Sequence, residues 1–261
     1  MRSSAKFKPT GHRRPVHRPR EYEQDTGFVD LSIALDNYLS MCRDFSTMVR
    51  TPAEGYTKAL ECIEGVDFTL DDVNWLALKH RAADKGGLGE CDAGVFISAC
   101  HNTLPDKLII NDIDMDEQIG FYLPEDKTLI NKGALYCLGQ HSSGLVVNLG
   151  TVSVLEGNGV VINYSHVTDS LSGSTNALLV TCGEAKELSF NCRSTVLAVK
   201  DPIETSKLLN RSSLTEAECA KIPELSEYLN NLRTDLETGV YHSKKEVETN
   251  IYDIIKRCKN G

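Results

Sequence analysis

The chain has 261 residues, which is enough to bury a substantial core in one or two domains. Its net charge is −9, and its hydrophobic fraction of 41% and charged fraction of 25% are ordinary for a globular protein. The sequence contains no apolar run of about 18 residues, the length that a membrane-spanning helix needs, so we expect no membrane contact.

The charge is unevenly distributed along the chain. Residues 1–20 contain seven Lys or Arg and no acidic residue, and because the whole chain carries −9, the remainder carries −16. An acidic body disfavours nucleic-acid binding by the folded part. Residues 1–27, rich in proline and basic residues, are predicted to be a disordered arm. This arm would either make a weak contact with nucleic acid or another acidic partner through residues 1–20, or serve as a solubilising tail that docks on the acidic body.

The cysteines indicate the compartment. Nine of them are spread through the chain, and the amino terminus lacks the apolar stretch of a secretory signal. We therefore expect reduced thiols and a cytoplasmic protein.

Residues 28–86 are predicted to form three short helices. Helical periodicity begins near Val29. A second helix is expected after Thr51, with Pro52 at its first position and Glu54 closing a capping box, and a third after Thr69. Because the end of a solenoid exposes apolar interior and strand edges, these helices would cap the repeated region that follows.

A short apolar phrase recurs through residues 87–201. Its copies are Leu108–Asn111, Thr128–Asn131, Leu145–Asn148, Val160–Asn163, Leu178–Thr181 and 196–199. One β-type run per short period is typical of a solenoid, so we expect six stacked coils, with 94–98 as a lead-in strand. The asparagines at one corner are expected to tolerate the left-handed conformation and to bond their own turn and the next coil: Asn111, Asn131, Asn148 and Asn163.

Each copy is followed by a second element that carries glycines. We expect these glycines at corners where the backbone needs positive φ: Gly133, Gly139, Gly150, Gly157, Gly173 and Gly183.

The repeats resemble a known family. Phrases such as 128–133, 144–150 and 159–164 are similar to the glycine-rich GXGXG repeats of the carboxy-terminal domain of glutamate synthase large subunits, and to those of one subunit of the formylmethanofuran dehydrogenases. The resemblance covers about residues 87–200. It implies a right-handed parallel β-helix that supports chemistry done elsewhere and carries no catalytic residue. Second-element glycines are replaced at Ser165, Ala185 and Leu188.

Residues 202–261 are predicted to be helical. Short helices are expected over 203–209 and 214–222, followed by helices over 223–237 and 243–258 that Gly239 separates into an antiparallel hairpin. The apolar stripe of this hairpin would pack on the solenoid flank or on its partner helix, or would dock another subunit. The predicted fold is thus a short right-handed parallel β-helix with amino-terminal capping helices and a carboxy-terminal helical hairpin, mixed α and β.

Several polar groups are candidate sites. Cys137 and His141, with His166 and Asp169 one or two coils away, are the candidates for a nucleophile, base and orienting group, although polar side chains at a β-helix corner are more often simply solvated. A second group, consisting of Cys91, Cys100 and His101, lacks the spacing of a zinc site, and small core cysteines are the alternative. The alternating acids at 112, 114 and 116 fail the calcium-loop pattern, because its glycine and glutamate positions are Glu117 and Leu123.

These observations predict a non-catalytic scaffold or assembly protein that mediates protein–protein interaction through its β-helix. We assign no catalytic residue, metal or cofactor, and we expect a protein partner or homo-oligomer. One alternative is an accessory subunit of an oxidoreductase complex, and a second is a nucleic-acid adaptor that acts through the basic arm.

Overall fold

A computed structural model describes residues 26–43, 51–83, 93–115, 117–173, 177–190, 195–198 and 222–260. The helices in these ranges are α1 (Thr26–Arg43), α2 (Pro52–Ile63), α3 (Leu70–Ala83), α4 (Ala93–Thr103), α5 (Pro223–Glu237) and α6 (Lys244–Asn260). The strands are β1 (Leu108–Asn111), β2 (Gln118–Ile119), β3 (Thr128–Asn131), β4 (Ala134–Leu138), β5 (Leu145–Asn148), β6 (Thr151–Gly157), β7 (Val160–Asn163), β8 (His166–Gly173), β9 (Leu178–Thr181), β10 (Glu184–Phe190) and β11 (Thr195–Ala198). Nearly all of the predicted arm, Cys91, and the helices predicted over 203–209 and 214–222 (save residue 222) lie outside the described residues.

The strands form two parallel sheets between which the chain alternates. Sheet A has the order β1-β3-β5-β7-β9-β11, and sheet B has the order β10-β8-β6-β4-β2. Equivalent residues of successive coils are paired, so that Asn131 lies between Asn111 and Asn148. The predicted parallel β-solenoid is therefore confirmed, with about five turns.

The last coil differs from the predicted alignment by one residue. The apolar pattern of the sequence matches Val196 to Leu178, but the structure pairs Thr195 with Leu178 and Val196 with Leu179. Side chains alternate between the two faces of a strand, so a slip of one residue exchanges interior and exterior. The observed register places Val196 in the solenoid core and Leu197 on the opposite face.

Sheet A is buried on both faces. Its inward side chains, such as Leu129, Val146 and Val161, join the solenoid core. Its outward side chains form a second core with the hairpin of α5 and α6: Ile130, Leu145, Val147, Val160, Ile162, Leu178, Val180 and Leu197 from the sheet, and Leu225, Leu229, Leu232, Leu236, Val247, Ile251, Ile254 and Ile255 from the helices. A sheet buried on both sides produces the continuous apolar runs seen in the sequence.

The predicted hairpin is confirmed, with Gly239 at a positive φ of 82° between its helices. The apolar stripe of the hairpin packs on the flank of the solenoid, which is one of the predicted alternatives. It is therefore buried and not available to dock another subunit. The connection between the helices is held to sheet A, because Thr128 Oγ1 donates to the His242 carbonyl at 2.6 Å and Lys132 Nζ donates to the Glu237 carbonyl at 2.8 Å. Among the described residues, no helix has the length and apolarity that crossing a bilayer requires.

The amino-terminal cap contains one helix more than predicted. Helices α1, α2 and α3 match the expected ones, and the Thr51 side chain accepts from the Glu54 amide at 3.2 Å as the capping box requires. The lead-in strand at 94–98 is wrong, because these residues lie in α4 and the first solenoid strand begins at Leu108. All residues from Ala93 to His101 are buried, and so continuous an apolar run has no periodicity that separates helix from strand.

Candidate functional site

The four corner asparagines form a continuous row of amide hydrogen bonds. Asn111 Nδ2 donates to Asn131 Oδ1 at 2.8 Å, Asn131 Nδ2 to Asn148 Oδ1 at 3.0 Å, and Asn148 Nδ2 to Asn163 Oδ1 at 3.0 Å. All four are buried. Asn131 Nδ2 also donates to the Gly133 carbonyl of its own corner at 2.9 Å. The row therefore fastens coil to coil inside the protein and offers no surface to a ligand.

The backbone at these corners differs from the expected one. Among the described non-glycine residues, only Tyr122 and His141 have positive φ, so the left-handed conformation expected for the asparagines is wrong. Each asparagine ends a regular strand, and its amide bonds explain its presence.

Most corner glycines are required by close approach between coils. Of the predicted set only Gly139 has positive φ, at 83°. At Gly150 an added Cβ would overlap the carbonyl oxygen of Gly133 in the preceding coil, and Gly133 and Gly183 are crowded in the same way by backbone carbonyls. At Gly157 and Gly173 an added Cβ would instead meet the side chains of Val161 and Leu179 in the strands that follow. The expectation of positive φ is wrong at these five positions, because the available space sets the residue type there.

The candidate nucleophile, base and orienting group do not assemble. Cys137 is buried in β4, whereas His141 lies in the turn after that strand with its ring stacked on Tyr122 at 5.4 Å between centroids. His166 is the first residue of β8, so it lies at the start of the parallel strands of sheet B, whereas His141 follows the end of β4. The Nδ1 of His166 lies 3.1 Å from Glu184 Oε2, and Asp169 follows in the same strand. His141 and His166 therefore occupy different corners of the solenoid.

Cys100 and His101 lie buried on α4, where burial raises the pKa of the Cys100 thiol above its usual range. Burial, assisted by the nearby charge of Lys127, lowers the pKa of His101 to about 3, and neither ring nitrogen has a hydrogen-bond partner. Within the described ranges, no three His, Cys, Asp or Glu side chains are grouped to hold a metal ion. In the segment compared with a calcium loop, Asp114 Oδ1 instead accepts from the Ala134 amide at 3.0 Å.

A buried lysine that sequence reasoning missed joins the cap to the solenoid. Lys127 Nζ donates to the carbonyls of His101 and Leu104, each at 2.6 Å, so its ammonium satisfies the carboxy-terminal end of α4. Nearby, His80 Nε2 lies 3.1 Å from Glu117 Oε1. These partners are far apart in sequence, so no local spacing could have revealed them. Both contacts fix the position of the cap on the solenoid.

The outward side of sheet B is the one broad solenoid face that, within the described part of the chain, no helix covers. We call it the open face and define it by the partly or fully exposed side chains of β4, β6, β8 and β10: Ala134, Tyr136, Thr151, Ser153, Val154, Glu156, His166, Thr168, Asp169, Ser170, Ser172, Glu184 and Lys186. Five of these thirteen residues are Ser or Thr, and Thr168 Oγ1 lies 3.3 Å from Ser153 Oγ. Tyr136 is 55% exposed and is the large aromatic side chain of this face.

The open face is one continuous sheet surface. Its backbone is paired in a parallel ladder from β2 to β10. Its His166–Glu184 pair lies at the rim, at 50% and 69% side-chain exposure, while the Cys137 thiol is buried. Tyr136 is of interest because exposed aromatic side chains are enriched at protein–protein interfaces, where they supply much of the binding energy.

No family model matches this sequence, and neither a curated protein nor a solved structure shows significant similarity to it.

Proposed function

We propose that the protein is a non-catalytic scaffold that mediates protein–protein interaction through its β-helix, with the open face as the binding surface. The observation that carries this proposal is the asymmetry of the two sheets. The outward side of sheet A is buried under the chain's own hairpin, whereas the outward side of sheet B is polar and includes an aromatic residue that is 55% exposed.

The interior of the solenoid supports a scaffold role. The amide row and the close approach of the corner glycines hold successive coils in one register, so the open face keeps a fixed shape. A preorganised surface loses little conformational entropy on binding. Because this surface is polar, we expect a reversible complex and not an obligate one, which would need a more apolar interface.

The test compares partners recovered from native cells with tagged wild-type, Tyr136→Ser and Tyr252→Ser proteins. Tyr252 is a matched control, because it is 41% exposed but lies on α6. Loss of a tyrosine anchor costs about 2 kcal/mol, or roughly 30-fold in affinity. We expect at least one partner to be lost with Tyr136→Ser and kept with Tyr252→Ser, while the circular dichroism of both variants stays unchanged. Equal recovery of every partner by the two variants would exclude the open face.

A second candidate is an accessory subunit of an oxidoreductase complex. It is supported by the resemblance of the repeats to the glutamate synthase β-helix domain and by the parallel solenoid. Absorption spectra of the purified native assembly provide the test, because flavin or iron–sulfur bands would accompany the protein. A stable native assembly without such bands would count against this candidate and leave the scaffold proposal intact.

A further inference from the structure

A groove crosses the helical cap between α2, the α2–α3 connection and the end of α4. Its volume is about 570 Å³. Leu60, Val66 and Phe68 line it and are only partly buried, although they pack against the cap core. The groove therefore exposes an apolar floor that an aromatic or aliphatic side chain would cover.

The rim of this groove is acidic. Glu61, Glu64 and Asp67 line it, and none of its lining residues is Lys or Arg. Lys58 lies 2.6 Å from Glu61, but both side chains are exposed, and a surface pair of this kind adds little. The groove thus fits an apolar side chain that is flanked by cations.

The amino-terminal arm contains such a segment. Phe7 lies between Lys6 and Lys8, within the 20 residues that carry seven basic and no acidic side chains. We propose that this segment docks in the groove of its own chain, with Phe7 on the apolar floor and the two lysines against the three carboxylates. The arm would then neutralise the acidic cap of the molecule that carries it.

The covalent connection favours this occupant. Helix α1, which follows the arm, packs directly against α2, where Cys62 Sγ lies 4.0 Å from Met41 Sδ. About 18 residues separate Lys8 from Thr26 and can span up to roughly 60 Å when extended. Because the segment belongs to the same chain, its effective concentration at the groove is on the order of millimolar, so even weak contacts would hold it.

The chain also offers a matched control segment. Val16 is apolar but lies between Pro15 and His17, so it lacks flanking lysines. Photo-crosslinking of the full chain compares Phe7→p-benzoylphenylalanine with Val16→p-benzoylphenylalanine, and mass spectrometry maps the adducts. From position 7 we expect most adducts on residues 57–68 and 103–105, and from position 16 at least fivefold fewer there.

Charge variants test the rim separately. E61Q/E64Q/D67N should reduce the groove adducts from position 7 at least fivefold, whereas neutralising three carboxylates of the hairpin, E227Q/E248Q/D253N, should leave them unchanged. A mixture of ¹⁴N and ¹⁵N protein distinguishes adducts within one molecule from adducts between two. Adducts spread over the whole acidic surface, equal effects of the two charge variants, or adducts mainly between isotopes would each overturn the proposal. Because the groove and the open face are separate surfaces, none of these results bears on the scaffold proposal.

Discussion

The amide row makes a quantitative prediction for Asn148→Ala. Asn148 is fully buried; its Nδ2 donates to Asn163 Oδ1 and its Oδ1 accepts from Asn131 Nδ2, both at 3.0 Å. Each neutral hydrogen bond contributes about 1 kcal/mol to stability, and one N–H of Asn131 would be left without its acceptor. We therefore expect Asn148→Ala to lower the free energy of unfolding by about 2 to 3 kcal/mol.

Neighbouring bonds limit the loss. Asn131 Nδ2 keeps the Gly133 carbonyl, and Asn163 Oδ1 keeps the Ser165 amide at 3.3 Å, so neither side chain becomes wholly unsatisfied. For a chain of this size, 2 kcal/mol corresponds to a decrease in the melting temperature of about 4 to 8 °C.

Urea unfolding, followed by far-ultraviolet circular dichroism and by the fluorescence of the single tryptophan, Trp75, measures this change. Asn230→Ala is the control, because Asn230 is exposed on α5, and it should change stability by less than about 0.5 kcal/mol. A double-mutant cycle with Asn131→Ala should give a coupling energy of about 0.5 to 1 kcal/mol. Equal stability of Asn148→Ala and Asn230→Ala would refute the idea that the row fastens the coils.

Three further predictions address the corner, the cap and the hairpin. Gly150→Ala should lower the free energy of unfolding by more than about 2 kcal/mol, because its Cβ would overlap the Gly133 carbonyl. Gly65 has open space around it but a φ of 78°, so Gly65→Ala should lower the free energy of unfolding by about 1 kcal/mol. Similar losses for the two variants in urea unfolding would argue against crowding at Gly150. The pKa of His101 is 6.5 unfolded and about 3 folded, so protonation favours unfolding, and stability is full above pH 6.5 and falls as the pH decreases toward 3. His101→Leu should therefore reduce the dependence of the free energy of unfolding on pH by up to about 1.4 kcal/mol per pH unit, measured by unfolding curves from pH 7 to pH 4. The same pH dependence in the wild type and the variant would contradict a buried, neutral His101 imidazole. Leu229→Ala, in the core between sheet A and the hairpin, should lower the free energy of unfolding by about 2 to 5 kcal/mol, measured by thermal unfolding. A loss below about 1 kcal/mol would mean that packing of the hairpin on sheet A contributes little to stability.

Much of the fold could be predicted from the sequence repeat. The recurring apolar run, which ends in asparagine in four of its copies, predicted the sheet A strands from Leu108 to Thr181, and capping chemistry at Thr51 predicted the start of α2. Every earlier copy begins with an aliphatic residue or ends in asparagine, whereas the last strand begins with Thr195 and ends with Ala198, so the sequence did not fix its alignment. Helix α4 escaped prediction because burial on every side removes the periodicity that marks a surface helix.

The candidate site was less predictable than the fold. The open face could be identified only once it was clear which sheet the hairpin covers. The structure shows that the apolar stripes of α5 and α6 pack on sheet A. Lys127 was missed for a related reason, since its two carbonyl partners lie 23 and 26 residues away along the chain. Local sequence patterns report which residues share a face, whereas contacts between elements decide which faces remain exposed.

The two sheets differ in what their outward sides would expose to a partner. Strands β3, β5, β7 and β9 are buried at all four positions. With Leu197 of β11, the outward side of sheet A would expose eight aliphatic side chains of the second core if the hairpin left it. A continuous apolar sheet of this kind would associate non-specifically. Strand β6 instead keeps four of its seven positions partly exposed, as expected of a sheet with one solvated face. The partner that we propose would therefore bind sheet B without disturbing either core, whereas access to sheet A would require losing the second core entirely.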